Sequence, residues 1–202
     1  MKRDRIEWEI VTPLQAKDLL KNFTIQWWIC GGWAIELYTQ EKTRVHQDID
    51  ISILRKDYSK LKGFLPDWEF KLPKDGTFYD WNEGEEIDKS FHALWARKKG
   101  SETWTIEFLL DESFENDWIF RKNDEIRLPL NQIGYLTKNR IPYIRPEITL
   151  LFKSAQSYTN IEKNNIDFET VLKKMTKSEK SLLLKWIKIY NPNCDWLAKF
   201  QG

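Results

Sequence analysis

Apolar residues recur along the chain first at helical spacing, then in strict alternation, and finally at helical spacing again. Ala16, Leu19, Leu20 and Phe23 fall at i, i+3, i+4 and i+7. The preceding Thr12-Pro13-Leu14-Gln15 reads as the start of that helix, with Thr12 as N-cap, Pro13 at the first helical position and Gln15 closing a capping box. Ile25 to Cys30 is a short apolar and aromatic run that stops at Gly31-Gly32. It predicts a buried strand ending in a turn of permissive backbone, after which Trp33 to Tyr38 starts a second helix. From Asp48 to Ile53 the alternation is complete, so a strand puts Asp48, Asp50 and Ser52 on one face and Ile49, Ile51 and Ile53 on the other. A further strand is predicted from Thr103 to Leu110. Trp104, Ile106, Phe108 and Leu110 take one side, Thr105, Glu107 and Leu109 the other, and Glu107 is its lone charge. Between residues 54 and 100 the pattern is mixed, with turn signals at Lys74-Asp75-Gly76 and Asn82-Glu83-Gly84, and it sets no boundaries.

At Arg145-Pro146-Glu147 the period becomes helical and stays so. Ile148, Leu151, Phe152 and Ala155 form one stripe, Phe168, Val171, Leu172 and Met175 a second, and Leu183, Trp186, Ile187 and Tyr190 a third. Thr176-Lys177-Ser178-Glu179 supplies a capping box for the third helix, and Pro192 stops it. The expected fold class is therefore α+β: a mixed unit over residues 1–140, then a helical unit over residues 141–202.

Charge and composition narrow the function. The chain has 202 residues, with 32 Lys and Arg against 31 Asp and Glu, and a net charge of +1 is a poor footprint for a protein that grips nucleic-acid backbone. The balance is uneven, since residues 145–202 carry ten Lys and Arg against six Asp and Glu, and the first 144 residues carry an excess of acids. A polyanionic ligand held by metal on the acidic side would find lysines on the other. Cys30 and Cys194 lie far apart with no CxxC spacing, which excludes a disulfide scaffold and a cysteine zinc site, and two histidines are too few for a histidine metal site. The charged start Met1-Lys2-Arg3-Asp4-Arg5 runs into Ile6, Glu7, Trp8 and Glu9 rather than an apolar signal core, and no stretch approaches the ~18 apolar residues of a membrane span. A cytoplasmic location is expected. Aromatic content is high, with 11 Trp, so rings are available both for the core and for lining pockets.

Two aspartates at i and i+2 on one strand face stand about 7 Å apart and repel unless a cation neutralises them. Mg²⁺ prefers oxygen ligands and commonly joins one or two carboxylates to substrate phosphates, which makes Asp48 and Asp50 candidate ligands. The same spacing also describes the wet face of an edge strand. A diglycine between strand and helix leaves backbone N–H groups free to approach a phosphate, and it serves equally as a tight packing turn. Diglycine, helix, then Asp-x-Asp on an alternating strand is more specific than any one part.

The stretch Gly31-Gly32-Trp33-Ala34-Ile35-Glu36 through Thr43-Arg44-Val45-His46-Gln47-Asp48-Ile49-Asp50-Ile51 resembles the nucleotidyltransferase superfamily, in its small aminoglycoside and lincosamide nucleotidyltransferase-like branch. The likeness continues in order through Trp81-Asn82-Glu83-Gly84, His92 to Arg97, Trp104 to Glu107, Trp118 to Lys122 and Ile141 to Lys153, and covers most of residues 25–175. It implies a nucleotidyltransferase-like mixed sheet flanked by helices and followed by a C-terminal helical domain, with the active site in the cleft between them. Asp48, Asp50 and Glu107 would be the catalytic carboxylates and the ligands of Mg²⁺, two ions in all. Glu107 would complete the second metal site or take the proton of the attacking hydroxyl. Gly31 and Gly32 would cradle the phosphates, and Lys153, which lies off the apolar stripe of its helix and also suits a solvated lysine, would offset charge on the β and γ phosphates. Arg44 and His46 would contact phosphate or order the loop.

The implied reaction transfers a nucleoside monophosphate, AMP from ATP, to a hydroxyl of a small molecule such as an aminoglycoside- or lincosamide-like antibiotic, releasing pyrophosphate. The chain departs from its relatives at Lys163-Asn164-Asn165-Ile166-Asp167, where they usually carry a Lys-Asp pair. Glu83, Glu85, Glu86 and Asp88 beside Trp81 would hold an amine-bearing sugar by charge and stacking, or form a solvated loop. Two alternatives stay open. The basic helical half suits the same fold acting on a macromolecule, such as a tRNA or a protein, or binding nucleotide alone. A glycosyltransferase would also use Asp-x-Asp, although the diglycine placement and the short chain argue against it.

Overall fold

The computed structural model describes residues 6–82, 84–155 and 161–201. It opens with α1 (Pro13–Leu20), capped as expected: the Gln15 N–H donates to Thr12 Oγ1, and the Thr12 N–H donates back to Gln15 Oε1. β1 (Trp27–Ile29) leads straight into α2 (Gly31–Thr39), and β2 (Asp50–Leu54) follows a loop. α3 (Lys60–Phe64) precedes β3 (Trp68–Lys74) and β4 (Thr77–Asp80), which form a hairpin closed by Asp75-Gly76, both at positive φ. That two-residue turn matches the twist of the flanking strands. β5 (Ala93–Lys98), β6 (Ile106–Phe114), β7 (Asp117–Ile119), β8 (Arg127–Pro129), β9 (Gly134–Leu136) and β10 (Pro142–Ile144) complete the strands. α4 (Pro146–Lys153), α5 (Ile161–Lys174) and α6 (Lys177–Tyr190) end in a 3₁₀ segment, Asp195–Gln201.

The main sheet runs β4-β3-β5-β6-β2-β1-β10-β9, with β7 paired to the far end of β6 and β8 to β7. β2 is parallel to β6 and β1 is parallel to β10, while the other pairs are antiparallel. One face packs Ile51, Ile53 and Phe108 against Ala16 and Leu20 of α1 and Leu61 of α3. Near the opposite face, Trp28 and Ile144 join Trp118, Phe120, Ile148, Leu151 and Trp186. A third cluster, with Ile35, Leu150, Phe168, Val171 and Ile187, binds α2, α4, α5 and α6 to one another. Each such buried side chain contributes about 1.5–3 kcal/mol.

The structure moves two strand boundaries. The strand expected from Asp48 starts at Asp50, and Asp48 lies in the bend before it. The strand expected over residues 103–110 runs instead from Ile106 to Phe114, so Glu107 is not its only charge: Asp111 and Glu112 follow. Ser52, on the face opposite the isoleucines, is buried rather than wet. β10 belongs to the sheet, which places residues 142–144 with the strands rather than with the helices that begin at Pro146.

Glu179 fastens the helical segment to the sheet. Its Oε2 accepts from the Thr176 N–H and hydroxyl, both at 2.8 Å, in the expected capping box, and from the Tyr38 hydroxyl of α2 at 3.0 Å. Oε1 accepts from the Tyr135 hydroxyl of β9 at 3.1 Å. One carboxylate thus serves three elements. Glu179→Ala is expected to cost about 1–2 kcal/mol of unfolding free energy in urea denaturation, the loss of one cap and its tyrosine bonds.

Candidate active site

The floor of the site is set by strand register. β2 and β6 run parallel with Asp50 directly opposite Glu107, Ser52 opposite Leu109 and Leu54 opposite Asp111. Alternation along each strand therefore aims Asp50, Ser52, Glu107, Leu109 and Asp111 away from the isoleucine core and toward α4. Burial first, and the Asp48 charge second, push the Asp50 carboxyl up to about 6, while Lys153, Lys163 and Arg44 pull it down. Burial and then the facing Asp50 push Glu107 further, to about 8, although the Trp95 indole works against the shift. The two carboxyls repel across one sheet register, in surroundings that disfavour either charge.

The diglycine makes this closeness possible. Gly31 has φ +61°, and a Cβ there would stand 1.9 Å from Asp50 Oδ2, so the carboxyl occupies the space of a side chain. At Gly32 a Cβ would meet Arg44 Nη2 at 2.1 Å and His46 Cε1 at 2.6 Å. The backbone here is a bed for Asp50, Arg44 and His46. It is also the first turn of α2, whose leading N–H groups lack partners within the helix.

The loop before β2 is ordered from inside. His46 Nε2 stands 3.0 Å from Glu36 Oε1, and the imidazole stacks on Trp33 at 4.3 Å. The same Glu36 oxygen accepts from the Thr43 N–H at 2.7 Å and the Arg44 N–H at 3.3 Å, while the Trp33 indole donates to the Asp48 carbonyl at 3.1 Å. α2 thereby fixes the loop that carries Arg44 and Asp48. Of the two roles open to His46 in the sequence, ordering the loop is the one its contacts perform.

Lys153, at the end of α4, is not a solvated lysine. Its ammonium lies 2.9 Å from Oδ2 of the fully buried Asp167 on α5 and donates to Asn164 Oδ1 at 3.2 Å. The segment that departs from the relatives in sequence thus supplies a carboxylate to this lysine from the next helix. Lys163, one turn earlier on α5, has its pKa lowered by desolvation and then by Arg44 and Lys153, and all three cations act on Asp50.

Beneath them a cavity of about 250 Å³ is lined by Cys30, Gly31, Asp111, Thr149, Phe152 and Lys153, among others. Asp111, buried and accepting from the Ser52 hydroxyl, went unread in the sequence because the expected strand stopped one residue short of it. Cys30 is a free buried thiol whose pKa burial raises well above its usual value, so it is inert. The acidic loop lies elsewhere. Glu85, Glu86 and Asp88 line a separate cavity with Arg55, Lys56 and Lys62, and Glu83 falls outside the described residues. Trp81 is buried there under Lys62, whose ammonium sits 4.1 Å from the ring centre, so it offers no open stacking face.

Among the described residues no trio of Asp, Glu, His or Cys side chains stands as a preformed metal cage. The donor chemistry nonetheless fits a hard divalent cation: Asp50 and Glu107 present facing oxygens whose repulsion such an ion would relieve, and Mg²⁺ typically fills its remaining positions with water and phosphate oxygens. No helix among the described residues is long and apolar enough to cross a membrane.

Residues 14–170 match the family model of aminoglycoside-2''-adenylyltransferase. The chain belongs to that family. It is a nucleotidyltransferase, as the sequence resemblance implied. A lincosamide resistance protein of Staphylococcus haemolyticus is 26% identical over 147 residues, covering 72% of this chain and 84% of that one. Two solved structures share the fold. The lincosamide antibiotic adenylyltransferase LnuA with bound lincomycin superposes with a TM-score of 0.52 at 20% identity, covering 81% of this chain and 95% of that one. ANT(2'')-Ia in complex with adenylyl-2''-tobramycin gives a TM-score of 0.53 at 13% identity, covering 86% and 93%.

Two outcomes follow for this nucleotidyltransferase. Gly31→Ala adds a Cβ onto Asp50 and forces a positive φ on alanine, and is expected to displace the carboxyl and cut turnover by at least about a hundredfold, measured by steady-state kinetics. The raised carboxyls mean that the folded metal-free protein holds protons which the unfolded chain releases. Stability in EDTA should therefore fall as pH rises from about 4.5 toward about 8, and Asp50→Asn should flatten that slope in urea titrations at stepped pH.

Proposed function

We propose that this nucleotidyltransferase catalyses Mg²⁺-dependent transfer of AMP from ATP to a hydroxyl of a small-molecule antibiotic, releasing pyrophosphate. The observation that carries the reading is the opposed pair Asp50 and Glu107, with Arg44, Lys153 and Lys163 acting on the Asp50 carboxyl. Carboxylates with cations beside them suit a metal-bound triphosphate, whose metal would sit with the acids and whose phosphates would meet the cations. Asp48, Asp50 and Glu107 would hold the Mg²⁺, two ions in all. Bound there, the metal would neutralise the carboxylates and withdraw charge from the phosphate oxygens.

The chain's own residues divide the remaining work. Gly31 and Gly32, at the positive end of α2, present backbone N–H groups to the triphosphate, and Arg44, Lys153 and Lys163 take up the charge on its β and γ phosphates. Glu107 receives the proton of the acceptor hydroxyl as its oxygen bonds to the α phosphorus. The bond from that phosphorus to the bridging oxygen breaks, and pyrophosphate leaves toward the three cations. His46 and Trp33 keep the Arg44–Asp48 loop in place and touch no substrate. Membership of a family named for aminoglycoside adenylylation, together with a relative named for lincosamide resistance, supports an antibiotic acceptor.

The test is adenylylation of an antibiotic panel with ATP and Mg²⁺, read by pyrophosphate release and by mass spectrometry of the product. AMP is expected on one acceptor hydroxyl, activity is expected to vanish in EDTA, and Asp50→Asn and Glu107→Gln should each lower kcat at least about a hundredfold. Full activity in Glu107→Gln would overturn its role as proton acceptor.

A further inference from the structure

A second cavity, of about 510 Å³, meets Glu107 from the side of the β3–β4 hairpin. Thr77, Phe78, His92, Trp95 and Glu107 are among its walls, and His92 borders both this cavity and the smaller one beside Gly31 and Lys153. On the reading above, where the triphosphate lies with Gly31 and Lys153, this is the space from which an acceptor hydroxyl reaches Glu107.

Two features of its walls constrain what fits. One is aromatic. Phe78 stacks on Trp104 at 5.2 Å and tilts against Trp95 at 5.2 Å, while Trp8 meets Trp95 edge-on at 4.6 Å and Arg97 caps Trp104 at 4.4 Å. The wall is thus braced from behind, and of the two rings that line the cavity Phe78, 38% exposed on β4, is more exposed than Trp95. The other is charge. Besides Glu107 the cavity holds one acid, Asp75, and one base, Lys74, whose ammonium donates to Ser90 at 2.7 Å. These cancel, and the acids of the 85–88 segment line a different cavity that contains none of Asp48, Asp50 and Glu107. A polycation entering here would lose hydration at several ammonium groups and find too few carboxylates to compensate. A sugar with an apolar face and at most one positive charge would lose little and gain contact with Phe78.

We infer that Phe78 is a specificity-determining residue and that the acceptor is a glycoside of low charge with an apolar face, of the lincosamide kind, rather than a polycationic aminoglycoside. The inference rests on the placement of the acceptor at Glu107, so binding and transfer are measured separately. Calorimetry on the full-length protein with Mg²⁺ and a nonhydrolysable ATP analogue should show saturable binding of lincomycin, and none of tobramycin at 0.15 M salt as an approximate physiological ionic strength. Phe78→Ala should weaken lincomycin about tenfold and leave the affinity for the ATP analogue unchanged, and Phe78→Tyr should restore it. Phe78→Ala gives up the ring contacts with Trp95 and Trp104 and is expected to lower the melting temperature by about 2–4 °C, whereas Phe78→Tyr keeps them, and unchanged binding of the ATP analogue shows that each variant is folded.

Tobramycin binding as tight as lincomycin, no lincomycin binding at all, or a lincomycin affinity indifferent to Phe78→Ala would each overturn the inference. Lincomycin that binds through Phe78 without receiving AMP would leave the inference standing and overturn the proposed reaction. AMP transfer to tobramycin but not to lincomycin would do the reverse.

Discussion

The structure is organised around a repulsion that its own cations and the Trp95 indole relieve only in part. Asp50 and Glu107 face each other on adjacent parallel strands, walled by the sheet on one side and helices on the other, and neither carboxyl is comfortable as an anion. Placing them so costs free energy, which the apolar clusters on both faces of the sheet offset. The arrangement makes sense as one half of a site whose other half is a cation and a polyphosphate. On the proposed function, that cost would be recovered as affinity when a metal-bound triphosphate matched the charges.

The surrounding elements follow from that constraint. α2 must start on glycines, because Asp50 occupies the space over Gly31, and Arg44 and His46 press on Gly32. The loop that returns to β2 must be rigid, because it delivers Asp48 and Arg44, and Glu36, His46 and Trp33 make it so from within α2 and the loop. Lys153 and Lys163 come from helices that Glu179 and the third apolar cluster hold against the sheet. The floor of the candidate site is therefore built by strand register, and its lysines are placed by helix packing.

Much of this was legible in the chain because it is local. The capping boxes at Thr12 and Thr176, the diglycine, and the alternation around Asp50 and Glu107 depend on residues a few positions apart. What escaped reading is long-range. Asp111 lies one residue past the strand end that the alternation predicts, and the pairing of Lys153 with Asp167 joins two helices whose relative placement no spacing encodes. Between residues 54 and 100, β3 does alternate, with Trp68, Phe70 and Leu72 buried and Glu69 and Lys71 half-buried, but β4 is exposed throughout and carries no such alternation, so the hairpin has no matching second strand in the pattern. The acidic segment near Trp81 suits either an amine-bearing sugar or a solvated loop in sequence, and the fold turns Trp81 inward and carries Glu85, Glu86 and Asp88 into a cavity away from the carboxylate pair.

The central claim, that burial and the facing charge raise the Asp50 and Glu107 carboxyls in the metal-free protein, is open to direct observation. In the metal-free protein labelled with ¹³C at Asp and Glu carboxyls, an NMR titration should show one carboxyl of this pair still protonated at about pH 7, and addition of Mg²⁺ with an ATP analogue should ionise it. If both carboxyls were already ionised at about pH 5 in the absence of metal, the strained pair would not exist and the account built on it would be wrong.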